Sequence, residues 1–227
     1  MPNYCINSLE VSADVKDIQS LKQFEDFVKT SIIEDGERFT FNGVVPMPKE
    51  LDIPSRFPKT KELEELENAN IEKYGHPNWY DWRCEKWGTK WDAIDTYLNS
   101  EIHNDYVMIT FDTAWSPPLS YYEALTMKYP LLTIDVQYEE CGMDFAGEIS
   151  YYDGEVQSEE EYTYNMYEWL YNKDSWWDNL YYQFEEDEDM KTLQDFKDHH
   201  GEIWELMNET DKDDVRDIIK QTQNQEV

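Results

Sequence analysis

Two stretches of this chain combine residue types and spacing that could do chemistry, and both are built from charged groups and aromatic rings. The denser one is 159–189. Eleven acids (Glu159, Glu160, Glu161, Glu168, Asp174, Asp178, Glu185, Glu186, Asp187, Glu188 and Asp189) share it with ten aromatic residues and a single base, Lys173. Duplex DNA carries about one charge per 1.7 Å of axis. A helix rises about 1.5 Å per residue, so acids at about one position in three, repeated on neighbouring helices, approach that linear density. Such a face would imitate a nucleic-acid backbone and be steered toward Arg/Lys grooves. Trp169, Trp176 and Trp177 would add the desolvated anchors that bare charge lacks. The plainer reading of the same residues is the solvated face of a packed helical subdomain. There, burial of Trp169, Trp176, Trp177, Tyr181 and Phe184 offsets repulsion worth some tenths of a kcal/mol per close pair.

The second stretch is a tryptophan cluster: Trp79, Tyr80, Asp81, Trp82, Arg83, Lys90, Trp91 and Asp92, with Trp87 inside it and Trp115 further on. Large rings at this frequency are core and sheet-face material. Left exposed, they form a recognition surface that stacks on bases or anchors a protein partner. Arg83, Lys86 and Lys90 make the segment locally positive in a strongly negative chain.

Other constellations are weaker. Asp81 with Asp92, or Asp112 with Glu123, are conceivable acid–base pairs, but nothing in their spacing fixes a distance. His76, His103, His199 and His200 show no HxxxH or Cys–His metal spacing. The run at 185–189 lacks the alternation and central glycine of a calcium loop. No GxGxxG, GxxxxGK[ST] or GxSxG occurs. No catalytic, cofactor-binding or metal-binding residue is therefore assigned, and no cofactor is expected. An enzyme acting on a nucleotide or small metabolite is the least favoured class, and Asp81, Arg83, Lys90 and Asp92 would be its first residues to mutate.

The elements that must position these groups follow from composition and periodicity. The 227 residues include 51 acidic and 19 basic ones, a formal net charge of −32, with 15% aromatics. That aromatic content argues for a folded protein rather than an acidic disordered one. Direct binding of nucleic acid is disfavoured because phosphate contacts need clustered Lys and Arg. No stretch approaches the roughly 20 apolar residues of a membrane span, and the N-terminus shows no signal-peptide pattern. Cys5, Cys84 and Cys141 are odd in number and widely separated, which predicts buried free thiols in a reducing cytoplasm.

Alternation predicts a strand over 3–11, and Asp14 is placed to cap a helix carrying Ile18, Leu21, Phe24 and Val28. Phe39, Phe41, Val44 and Val45 read as a short strand stopped by Pro46 and Pro48. Leu63, Leu66 and Ile71 mark a helix. Strands are predicted over 105–111, 131–138 and 145–152, with a helix from Pro117–Pro118 to about Lys128. Asp153–Gly154 is a hairpin turn into Glu155–Val156. Strand, helix, strand, strand, helix, strand is the order of an α+β, ferredoxin-like split βαβ sandwich over residues 1–156, with a helical insertion at about 58–90. Residues 157–227 read as an acidic, aromatic-rich helical extension. Its helices break near 172–175; Leu193, Phe196, His200, Ile203, Trp204 and Met207 form one stripe, and Val215, Ile218 and Ile219 face inward after a Thr210/Asp211 cap.

Five motifs come in fixed order: MPNYCINSLEV at the start, VVPMP at 44–48, NWYDW at 78–82, WGTKWDA at 87–93 and FDTAWSPP at 111–118. Together they resemble the YubB-type ferredoxin-like proteins of phages and plasmids over about residues 1–156. The resemblance implies that fold and a mobile-element origin. It carries no catalytic residue across, and the acidic tail lies outside it.

The expected function is that of a phage- or plasmid-encoded acidic inhibitor in the bacterial cytoplasm. It would bind a basic, nucleic-acid-handling host defence complex, such as a CRISPR effector or defence nuclease, and block it by nucleic-acid mimicry. The alternative is a protein-interaction module without mimicry, in which the charge serves solubility.

Overall fold

The structure is a computed structural model that describes residues 3–31, 39–101, 106–186 and 189–225. The chain divides into two compact units, 1–161 and 162–227.

The first unit is built on one antiparallel sheet. Its strands are β1 (Tyr4–Ser12), β2 (Ile94–Glu101), β3 (Tyr106–Ala114), β4 (Thr133–Glu140), β5 (Phe145–Tyr152) and β6 (Glu155–Tyr162, whose last residue belongs to the second unit). Their spatial order is β2-β3-β1-β4-β5-β6. Helix α1 (Ile18–Ser31) follows β1 and helix α4 (Leu119–Lys128) follows β3. β1-α1-β2-β3-α4-β4 with order β2-β3-β1-β4 is the ferredoxin-like arrangement, extended at the β4 edge by a hairpin. Asp153 and Gly154, at φ +54° and +77°, form the turn of that hairpin, as their sequence predicts.

Period-two alternation sorts each strand's residues between two faces. Leu9 and Val11 of β1, Val107, Ile109 and Phe111 of β3, and Ile134 and Val136 of β4 are buried in one core with Leu21, Phe24 and Val28 of α1 and Tyr121, Tyr122 and Leu125 of α4. Asn7 occupies an inward position without orphaned groups. Its amide donates to the Cys5 carbonyl at 2.9 Å and Thr113 Oγ1 at 2.9 Å, and its oxygen accepts from the Tyr122 hydroxyl at 2.8 Å.

Several expectations are corrected. Residues 39–45 are not a strand: a single bridge at Phe39 leads into a 3₁₀ turn over Phe41–Gly43. The strand between the two helices is β2 instead. Asp14 makes no side-chain cap; its carbonyl accepts from Asp17 N at 2.8 Å in a 3₁₀ turn that precedes α1. The insertion forms α2 (Lys61–Tyr74) and α3 (Trp79–Lys86). In α2, Leu63, Glu67 and Asn70 face inward, whereas Leu66 and Ile71 are exposed. Only Cys5 is a buried thiol; Cys84 and Cys141 are exposed. A boundary at 157 falls inside β6.

The second unit is helical: α5 (Tyr164–Tyr171), α6 (Lys173–Glu186), α7 (Leu193–His199), α8 (Gly201–Leu206) and α9 (Glu209–Gln225). The predicted break falls at Asn172, and the 191–207 stripe is split at His200 into two short helices. Met166, Trp169, Trp176, Leu180, Phe184, Phe196, Ile203, Trp204, Val215 and Ile219 form its own core. The cap of α9 is Asn208, whose Oδ1 accepts from Asp211 N at 3.0 Å, rather than Thr210 or Asp211.

Candidate functional site

The tryptophan cluster is placed by α3 and the segment that follows it. Asn78 opens α3, its Oδ1 accepting from Tyr80 N at 3.0 Å. The helix directs Trp82 into the core, and Trp87 just beyond it is fully buried, its indole N–H donating to the Val45 carbonyl at 2.9 Å. Arg83 lies between them on the boundary. Its guanidinium sits 4.7 Å from the Trp87 ring centroid and 5.2 Å from that of Trp79. Its Nε donates to Met47 Sδ at 3.4 Å. Burial pulls the Arg83 pKa below its ordinary value, against the fields of Asp92 and Asp52.

Asp92 holds the turn that replaces the expected strand. Its carboxylate accepts from Thr40 Oγ1 at 2.8 Å, Phe41 N at 2.7 Å and Ala93 N at 3.3 Å. Burial raises its pKa and these hydrogen bonds lower it, with burial the larger effect. Asp92→Ala removes all three hydrogen bonds. It is expected to destabilise the first unit by about 2–3 kcal/mol, read from denaturant unfolding, with Asp92→Asn recovering part of the loss through its remaining carbonyl oxygen.

Arg83, Trp91 and Asp92 line a cleft of about 530 Å³ together with Tyr4, Ala93 and Ile94. Beside it, the Lys90 ammonium lies 4.2 Å from the Trp91 centroid and 3.4 Å from that of Trp115. Trp115 is 43% exposed and held at φ +72°. The proposed surface residues therefore divide. Trp82 is core, with Trp87. Trp79 and Trp91 are half-buried, and Tyr80 and Asp81 are exposed. Asp81 lines a separate cavity of about 390 Å³ with Tyr80, Phe57 and Lys59, so it does not pair with Asp92. Asp112 alternates out of the core face of β3, whereas Glu123 lies on α4, which packs on that core face; this pair is not formed either. The roles of Tyr4 and Ile94 in the cleft had no local signal in sequence, because β1 and β2 bring them there from distant positions.

The acidic segment does not form one ridge. Glu159, Glu160 and Glu161 lie on β6, where alternation puts Glu160 on the opposite face from its neighbours. The Tyr138 hydroxyl is pushed up to about 12, by burial first and then by Glu161 and Glu159. Glu168 is buried at 7% exposure. Its carboxylate accepts from Asn172 Nδ2 at 3.2 Å, Ser175 Oγ at 3.2 Å and Asn179 Nδ2 at 3.5 Å, clamping the α5–α6 junction. Trp169 and Trp176 are buried core, the latter donating to Asn165 Oδ1 at 2.9 Å, and Trp177 is half-buried against it. Outward, besides the exposed Glu159, Glu160 and Glu161 of β6, are Asp174, Asp178 and Glu185, which share one face of α6 with exposed Tyr182, and Asp189 beyond the helix. Asp187, Glu188 and the side chain of Glu186 lie outside the described residues, as does His103.

His200 is buried and its ring nitrogens are occupied: Nδ1 lies 2.5 Å from Asn165 Nδ2 and Nε2 lies 3.1 Å from Gln183 Oε1. Among the described residues no group of three His, Cys, Asp or Glu could hold a metal ion, and no helix is long and apolar enough to cross a membrane.

Residues 86–196 match a family model described as the ferredoxin-like domain in Api92-like protein. That match extends beyond residue 156 into the helical unit. No curated protein matches the chain. A crystal structure of the protein api92 from Yersinia pseudotuberculosis aligns with 71% of this chain and 98% of its own, at 11% identity and a TM-score of 0.42. The chain thus carries a ferredoxin-like domain, similar over residues 86–196 to that of Api92-like proteins.

Proposed function

We propose that this chain is a non-catalytic acidic binding protein that docks on a basic partner through its C-terminal helical unit. The observation that carries this reading is the outward face of α6. Asp174, Asp178 and Glu185 recur there at steps of about one and two turns, exposed and with no ion-pair partner among the described residues. Their unit holds 18 acidic against 6 basic residues, so its field attracts cationic surfaces over distances limited by the Debye length, about 8 Å at physiological salt.

In its sharper form the partner is a nucleic-acid-handling host defence complex, such as a CRISPR effector or defence nuclease, and the carrier is a phage or plasmid. The resemblance of the five ordered motifs supports the carrier, and net charge supports the cationic partner. The magnitude of the charge density decides how far mimicry goes. The eleven residue steps from Asp174 to Glu185 span about 16 Å, so these three carboxylates give about one charge per 5 Å, roughly threefold sparser than a duplex. Occlusion by a docked acidic body fits that spacing better than a copied phosphate ladder. The same shortfall favours the alternative, an interaction module without mimicry.

The test is capture of host proteins on the immobilised chain, followed by displacement of labelled DNA or RNA from whatever is captured. Expected are binding that falls steeply with salt, loss of capture in the combined Asp174→Asn, Asp178→Asn and Glu185→Gln variant, and displaced nucleic acid. Capture that ignores both salt and the triple neutralisation ends the charge-driven reading. Capture without displacement leaves the interaction module.

A further inference from the structure

We infer that the cleft beside Arg83 is a binding site for a small anion carrying a planar ring, the class to which nucleoside monophosphates belong. The first ground is the state of Arg83. In a chain with 51 acidic residues, Lys29, Lys73, Lys173, Arg216 and Lys220 all have a carboxylate at ion-pair distance. Arg83 has none among the described residues. Asp92, the carboxylate that shares its cleft, is engaged by Thr40, Phe41 and Ala93. A guanidinium carries five N–H donors in a fixed fork. Nε uses one on Met47, and the Nη groups are left facing no protein acceptor among the described residues. A half-buried cation with unfilled donors gains when an anion arrives, because its desolvation is already incurred and the carboxylates whose fields reach it, Asp92 and Asp52, fill none of those donors among the described residues.

The second ground is pre-organisation. Trp79 and Trp87 hold the guanidinium between their rings, so little side-chain entropy is lost when the fork takes a phosphate or carboxylate in bidentate fashion. The third is the cleft itself. Its volume of about 530 Å³ falls in the range of small-molecule sites, and Trp91, Tyr4 and Ile94 give it an apolar wall on which a planar ring can lie. Lys90, seated against Trp91, adds a second positive charge at the rim. Asp92 and Asp52 place negative charge near the guanidinium and work against an anion, whereas the charge of the acidic C-terminal unit is subject to screening by salt. None of these residues belongs to the C-terminal unit, so the inference stands independently of the docking proposal.

The experiment is titration of the full chain with AMP, adenosine and inorganic phosphate, followed by the indole N–H resonances and the Arg83 Nε–H. AMP is expected to give saturable shifts at Trp91 and Arg83 at up to about millimolar concentration, with phosphate competing and adenosine at least about tenfold weaker. Arg83→Gln is expected to weaken AMP by about tenfold or more, with Arg83→Lys in between because it keeps charge but loses the fork. Should Arg83→Gln fail to fold, Trp91→Leu and Tyr4→Leu test the ring platform, each expected to weaken AMP about tenfold. Absence of saturable shifts, equal binding of adenosine and AMP, or unchanged affinity in folded Arg83→Gln overturns the site.

Discussion

Replacing Trp87 by alanine is expected to cost the first unit about 3–5 kcal/mol, the range for removing a large aromatic from a packed core. Trp87 is fully buried and packs edge-on to Phe41 and Trp82, with centroid separations of 5.6 and 5.8 Å. Three losses combine. The ring leaves a cavity that Phe41, itself wedged against Phe111 and Tyr121, cannot fill without leaving its own partners. The Val45 carbonyl loses the indole N–H that satisfies it. The Arg83 guanidinium loses one of its two supporting rings. Trp87→Phe separates these contributions: it keeps most of the volume and orphans only the carbonyl, for an expected loss of about 1–3 kcal/mol. Denaturant unfolding read with hydrogen exchange at Leu9, Val11 and Ile109 checks both. A loss below about 1 kcal/mol in Trp87→Ala would mean that the centre of this core is not where the structure puts it.

The same residues show how far the fold was legible in sequence. Strands β1, β3, β4 and β5 and both sheet-packing helices carry strong periodicity, because one face of each is buried. β2 does not. Ile94–Glu101 reads IDTYLNSE, a polar edge strand with a bulge between Ile94 and Tyr97, so its pattern lacks the buried face that betrays a strand. Residues 39–45 have the composition of a strand but lose the backbone N–H of Phe41 to Asp92, 51 residues away. No local window contains that bond. The acidic segment failed for a related reason. Charge is visible in sequence, but direction is not: alternation along β6 sends its exposed glutamates to opposite faces, and the burial of Glu168 removes a carboxylate that composition alone counts as outward. The Arg83 cleft was half legible: its Trp, Arg and Asp were singled out, whereas Tyr4 and Ile94 arrive only through strand pairing.

Acidification is expected to destabilise the second unit through one side chain, His200. Its ring is 8% exposed, packed on Phe196 at a centroid distance of 5.0 Å and against Trp176 at 6.1 Å. Nδ1 accepts from the Asn165 amide, whose oxygen in turn accepts from the Trp176 indole, and Nε2–H donates to Gln183 Oε1. That chain of donors uses the neutral ring; a proton on Nδ1 would oppose the Asn165 amide. Burial, with a smaller contribution from His199, lowers the His200 pKa to about 4 from an ordinary 6.5. The unfolded chain therefore binds a proton that the folded one refuses. The stability tied to the neutral ring is complete above pH about 6.5 and is lost as pH falls toward about 4, a change of about 3 kcal/mol. Asp92 and Asp112, with raised values, work in the opposite sense, and Asp195, with a lowered one, works in the same sense. The informative quantity is therefore the difference between wild type and His200→Gln, measured across that window. The gap should narrow or invert on acidification, by an amount that matches the ring's own titration in NMR. A His200 resonance that titrates at or above pH about 6.5 would show the ring to be solvated, and with it that the aromatic core joining α6, α7 and α8 is looser than its ring contacts describe.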